Sequence, residues 1–267
     1  MMHKHKRPFL LSAFCLALIS FLSVSQAFSM APAPDLYELK IYHITNAEQE
    51  ARIDKYLQNA YIPALHRAGI KQVGVFKPIE SDTLAGKRIY VYVPFSSSAQ
   101  FFSLPQVLQK DKKYATDGSD YLDAAHDNPP YSRFETVLLE AFPDMPHYQV
   151  PDLKTPPSER IYELRSYEGP TEKLYLNKVQ MFNQGGEIGL FKRLGFNAVF
   201  YSKVLVGSHM PNLMYMTTFA DQASHDAHWK AFGEDPEWKK LSAMKEYQHN
   251  VSHSDILLLH PTSYSEI

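Results

Sequence analysis

The chain states one pattern twice. Tyr37-Glu38-Leu39-Lys40-Ile41-Tyr42 returns, 125 positions on, as Tyr162-Glu163-Leu164-Arg165-Ser166-Tyr167. The echo continues downstream. Arg67-Ala68-Gly69-Ile70 answers to Arg193-Leu194-Gly195-Phe196, and Arg88-Ile89-Tyr90-Val91 to Leu213-Met214-Tyr215-Met216. Val137-Leu138-Leu139 answers more loosely to Ile256-Leu257-Leu258. Solenoid units repeat every roughly 20–50 residues, so an interval this long marks a duplicated domain. A fused pair of this kind constrains the chain to a pseudo-symmetric body, with any pocket near its pseudo-axis.

Residues 35–142 and 159–267 each read strand, helix, strand, strand, helix, strand, the order of a ferredoxin-like unit. Alternation runs from Leu36 to Ile44, and Thr45 and Glu48 have capping-box spacing before a helix carrying Ile53, Tyr56, Leu57 and Ala60. Residues 111–130 are polar and turn-rich, which predicts broken helix. In the second half, Asp235-Pro236-Glu237 is a helix restart: an N-cap carboxylate followed by proline at the first helical position. Between the halves, residues 143–158 hold five of the 18 prolines and read as an extended linker.

One sheet of such a unit is covered by its own helices. The second copy is the natural cover for the other face. The expected fold is therefore α+β: two ferredoxin-like βαββαβ units packed sheet to sheet as a pseudo-dimeric barrel. The period of two separates Tyr37, Leu39, Tyr162 and Leu164 from Glu38, Lys40, Tyr42, Glu163, Arg165 and Tyr167. The first set is expected against the helices, and the second set between the sheets.

Residues 1–27 read as a secretory signal, with a positive start at His3-Lys4-His5-Lys6-Arg7, an apolar run from Phe9 to Val24 and small residues at Ser25 and Ala27. The expected location is periplasmic or secreted, with no membrane contact after cleavage. Cys15 is the sole cysteine. The processed chain then has no disulfide, thiol nucleophile or zinc–thiolate site. Removing Lys4, Lys6 and Arg7 from 27 basic residues leaves 24 against 29 acidic ones. With no clustered Lys and Arg, nucleic acid is excluded as a partner.

The second half resembles a NIPSNAP domain of the dimeric α+β-barrel superfamily. The resemblance is carried by Tyr162 to Tyr167, Gly186-Glu187, Leu194-Gly195, Pro211 to Met216, and His228-Trp229 through Asp235-Pro236-Glu237-Trp238-Lys239. The first half shares it through Tyr37 to Tyr42 and the order of elements, and lacks the Asp-Pro-Glu-Trp stretch. The resemblance implies two ferredoxin-like units with facing sheets. It implies no particular catalytic residues. The wider superfamily includes heme-binding proteins, cofactor-free monooxygenases and small-molecule isomerases, and fold does not choose among them.

The residues themselves suggest a ligand site. Arg165 offers a forked donor for a carboxylate, with Glu163 beside it. Tyr42 and Tyr167 offer hydrogen bonds or a flat stacking surface. His43 and Glu168 end the first strand of each half, and His209 lies between the middle strands, where a hairpin turn explains it and its loop is expected at the rim of any pocket. The bland alternative for Glu163–Arg165 and Glu38–Lys40 is a pair of structural salt bridges. His225/His228 and His249/His253 share helical spacings, and Asp255 follows His253. No His-Glu-x-x-His motif, axial-ligand motif or Gly-x-Ser-x-Gly elbow occurs, so no metal and no cofactor is expected. The expected function is binding of a small apolar or aromatic molecule. The alternatives are a cofactor-independent oxygenase or isomerase, and a non-catalytic interaction module. A tandem copy either makes a dimer unnecessary or pairs again as a homo-oligomer.

Overall fold

The computed structural model describes Met1 and residues 33–267. The signal segment expected over residues 1–27 lies, Met1 apart, outside the described residues. In the first half, strands β1 (Leu36–His43), β2 (Gly74–Pro78), β3 (Arg88–Phe95) and β4 (Arg133–Ala141) are interleaved with helices. Helix α1 (Ala47–Tyr56) runs through one π turn (Leu57–Tyr61) into α2 (Ile62–Arg67). The second crossover is α3 (Ser98–Lys110), with the short α4 (Lys112–Asp117) and α5 (Ser119–Leu122) where broken helix was expected. The second half repeats the order. It comprises β5 (Ile161–Glu168), α6 (Glu172–Phe182), α7 (Glu187–Arg193), β6 (Asn197–Val206), β7 (Asn212–Phe219), α8 (Gln222–Glu234), α9 (Pro236–Ser242) and β8 (His253–Pro261).

The eight strands of the described residues form one closed antiparallel barrel, in the order β1-β3-β2-β8-β5-β7-β6-β4. Each half contributes its strands in the ferredoxin-like arrangement, fourth-first-third-second. Two seams join the halves. At one, Phe76, Lys77 and Pro78 of β2 pair with Pro261, His260 and Leu259 of β8. At the other, Leu138 to Ala141 of β4 pair with β6. Because every neighbour is antiparallel, β1 and β5 run the same way, and their C-terminal ends reach the same mouth.

Local chemistry explains the helix starts. The first cap is Asn46, not Thr45: its side chain accepts from the Gln49 amide, while Gln49 Oε1 accepts from the Thr45 amide and hydroxyl. The reciprocal logic of the capping box survives one residue further on, with Asn as the better cap. Ser97, Asp221 and Asp235 cap α3, α8 and α9 with their side chains, and Pro236 takes the first position of α9. The linker is pinned along its length. Gln149 N donates to Val199 O of β6, and Thr155 Oγ1 donates to Ala220 O.

Three apolar clusters fill the described residues. One lies under the first half's helices and includes Tyr42, Ile53, Leu57 and Leu65. A second, under the other helices, includes Phe182, Phe191, Tyr215 and Phe232. The third fills the barrel, with Tyr37, Leu39, Phe76, Tyr92, Tyr162, Leu164 and Phe200. This reverses the strand phase expected from sequence. Tyr37, Leu39, Tyr162 and Leu164 point into the barrel, whereas Tyr42 and Tyr167 pack beneath helices. A barrel interior has few groups to satisfy charge, so the more apolar phase goes inside. The charged phase goes where helix side chains reach it.

Candidate functional site

The reversal separates residues that the sequence suggested would converge. Arg165 and Tyr167 lie on the outer face of β5 under the second half's helices, and Tyr42 lies under the first half's. Glu163 is fully buried. Its carboxylate accepts from Arg165 Nε at 2.8 Å and from Trp229 Nε1 of α8 at 2.5 Å, and His225 Nε2 lies 3.4 Å away. The Arg165 guanidinium stacks 3.6 Å from the Trp229 ring centroid and donates to the Tyr167 hydroxyl, which bonds Tyr215 at 2.8 Å. Every arm of Arg165 faces a protein group. The space proposed for a ligand is packed solid, and the set locks α8 onto the sheet.

The equivalent space in the first half is packed as well. Lys40 lies 3.6 Å from Glu38 and over the rings of Tyr61 and Phe134. Tyr42 bonds Tyr121 at 3.2 Å, and Tyr121 stacks on Tyr56. Tyr114 of α4 bonds Tyr56 at 2.7 Å, so tyrosines of α4 and α5 close this space.

An open space lined by both halves lies inside the barrel, at the mouth reached by the ends of β1 and β5. A cavity of about 400 Å³ sits there, lined by both halves. The strand pleat builds it in layers. Ile41, Tyr90 and Val137 from the first half meet Leu164, Met214 and Leu257 from the second as an apolar floor. Polar groups share the same walls, Glu135 in register with Ile41, and Ser166 with Met214 and Asp255, with Asn212 also in the lining; residues 82–84 and Ser208-His209 cover the opening from two hairpins. Below the floor the barrel is plugged: Tyr92 stacks on Phe200, Tyr37 packs on both, and Tyr162 packs on Phe76. The pocket is therefore blind.

Access follows from the seams. β4 pairs with β6 only from Leu138 onward, and β8 pairs with β2 only from Leu259 onward. The upper parts of both strands have a free edge, so the barrel splays at this mouth. His209 occupies the left-handed region at φ 61° in the hairpin above, a conformation uncommon for a residue with a Cβ.

Of the residues singled out from sequence, His43 and His209 reach this mouth. His43 Nε2 lies 2.5 Å from Glu135 Oε1, and His209 Nδ1 lies 2.9 Å from Glu168 Oε1. Tyr42, Glu163, Arg165 and Tyr167 do not reach it. The sequence reading missed Tyr90, Leu164, Ser166, Asn212, Met214 and Glu135. Their signal was the same period of two, taken in the opposite phase. Burial pushes the Tyr90 phenol up to about 12, opposed by Arg88 and reinforced by Asp82, Glu135 and Asp255. It is therefore a protonated hydroxyl at neutral pH. The Ser166 hydroxyl and the Asn212 amide are bonded to each other at 2.9–3.1 Å, a polar pair placed on the wall.

Fold and cavity define an α+β barrel made of two fused ferredoxin-like units. In its second half, residues 162–266 match the model of the NIPSNAP family. Across 85% of its length the chain is similar to a monooxygenase-like protein from Lactobacillus acidophilus NCFM, covering 94% of that chain at 11% identity and a TM-score of 0.56. It is similar to another from Fusobacterium nucleatum subsp. nucleatum ATCC 25586, with 86% and 93% of the two chains covered, 8% identity and a TM-score of 0.55. An anthrone oxidase-like protein aligns over 85% of this chain and 91% of its own, at 11% identity and a TM-score of 0.51. At these identities the likeness is one of fold. No curated protein matches the chain.

Proposed function

We propose that this protein binds a small apolar or aromatic molecule in the blind cavity at the barrel mouth. The observation that supports this best is the cavity's composition. Apolar side chains drawn from both halves are joined by a few convergent polar groups, in a volume within the range of ligand pockets, roughly 300–1,000 Å³. Leu164, Met214, Val137 and Ile41 would bury the ligand body. Tyr90, Ser166 and Asn212 would orient a carbonyl or hydroxyl at its edge. Arg165 is not part of this site. Export to the periplasm or beyond is proposed on residues 1–27 alone, and N-terminal sequencing of the secreted chain tests it.

The test is a fluorescence titration with N-phenyl-1-naphthylamine, a neutral aromatic probe that brightens in apolar surroundings. One saturable site per chain is expected. Leu164→Trp fills the floor and should weaken binding by more than about tenfold. Leu174→Trp, on the helical layer, should leave it unchanged. Equal binding by wild type and Leu164→Trp would contradict the assignment.

A cofactor-independent oxygenase or isomerase is a second reading, favoured by the His209–Glu168 pair at 2.9 Å over the opening. A histidine held by a carboxylate can take a proton from a bound molecule. Consumption of oxygen, or isomerisation, of an aromatic substrate that depends on His209 would establish it.

A further inference from the structure

The two rims of the mouth are built from equivalent register positions and have opposite chemistry. In the first half, His43 of β1 pairs with Arg133 of β4, and Ile41 with Glu135. In the second half, Glu168 of β5 pairs with His253 of β8, and Ser166 with Asp255. The first rim has His43, Arg133 and one carboxylate, Glu135, whereas the second has His253 and two carboxylates, Glu168 and Asp255. Glu168, His253 and Asp255 bring one donor atom each within 4.8 Å of one another. His209 joins them from the hairpin, with Nδ1 at 2.9 Å from Glu168 Oε1, and His253 Nε2 lies 3.0 Å from Asp255 Oδ1.

From this geometry we infer that Glu168, His209, His253 and Asp255 form a binding site for a divalent first-row transition-metal ion. Two imidazoles and two carboxylates are the donor set such ions take. Among the described residues, no lysine or arginine forms an ion pair with Glu168 or Asp255, so two carboxylates converge without a fixed cation. Glu168 Oε1 is buried and lacks a hydrogen-bond donor of good geometry. Its contact is His209 Nδ1 at 2.9 Å, a side chain that is itself one of the candidate ligands. Donors held about 2.0–2.2 Å from a tetrahedral ion lie roughly 3.4 Å apart, so rotation of the exposed His253 and Asp255 side chains closes the set. His209 sits on a hairpin and can follow. The ion would stand at the edge of the cavity, held by four protein donors. The inference needs no ligand in the cavity and is tested with the metal alone.

The experiment is calorimetric titration of ZnCl₂ into untagged, chelator-treated full-length processed protein, repeated with Co²⁺ to read its visible absorption. The inference predicts one ion per chain, tetrahedral-type Co²⁺ bands displaced by Zn²⁺, and a raised Tm with Zn²⁺. Glu168→Gln, a near-isosteric change, and His253→Ala, at an exposed position, should each weaken binding by more than about tenfold. His126→Ala, at an exposed position outside the cluster, should leave it intact. No binding to wild type, or equal binding to wild type, Glu168→Gln and His253→Ala, would overturn the inference.

Discussion

Glu163 and Arg165 show how a pair can look functional and serve structure. A carboxylate with no exposure accepts from a guanidinium and an indole, and the guanidinium is in turn stacked and bonded. Glu163→Ala leaves Arg165 buried without its counter-charge. The expected loss is about 3–5 kcal/mol of stability in urea denaturation, with probe binding at the mouth retained in the folded fraction. His225 belongs to the same group. Burial pulls its pKa down, but Glu163 and Asp226 outweigh burial and hold it above its ordinary value of 6.5. The folded state therefore favours the protonated ring. That contribution is complete below about pH 6.5 and is lost as pH rises through the higher folded value. Unfolding free energy should fall across that window, and His225→Gln should flatten the fall. An unchanged pH profile in the variant would remove His225 from the account.

Strands and helices were largely legible in the sequence. Asp235-Pro236 starts α9 as its chemistry requires: Asp235 accepts from the amides of Glu237 and Trp238 and pairs with Arg193. Asp235→Ala should lower the urea midpoint without changing the denaturant slope, because a cap is lost and the exposed area is not. The phase of the strands was not legible. Leu39 and Tyr42, Leu164 and Tyr167 put a large side chain on both faces of β1 and β5, so a period of two cannot say which face meets helices. Charge does say it, once the two environments are compared. A closed barrel offers Glu163 no donor, whereas α8 offers Trp229 and His225. That comparison needs the partner element, 66 positions away along the chain for Trp229. The mouth was half legible for the same reason: His43 and His209 were found as strand-end and hairpin residues, while Tyr90, Ser166 and Met214 appear only when the phase is right.

At the scale of the molecule, duplication closes a sheet that would otherwise present two edges. Closure removes those edges and leaves the halves dependent on each other through the two seams. Both tryptophans, Trp229 and Trp238, lie in the second half, whereas far-UV circular dichroism reports on both. The two signals should follow one coincident urea transition. Separate transitions would mean that the seams do not couple the halves. The same closure creates the cavity, since neither half alone supplies both walls. Diffraction from crystals grown with N-phenyl-1-naphthylamine tests this most directly. The account predicts density for the probe inside the mouth, between Leu164 and Met214 on one side and Ile41 and Val137 on the other. Density beneath α8 beside Arg165 and Tyr167, with the mouth filled by side chains, would contradict it.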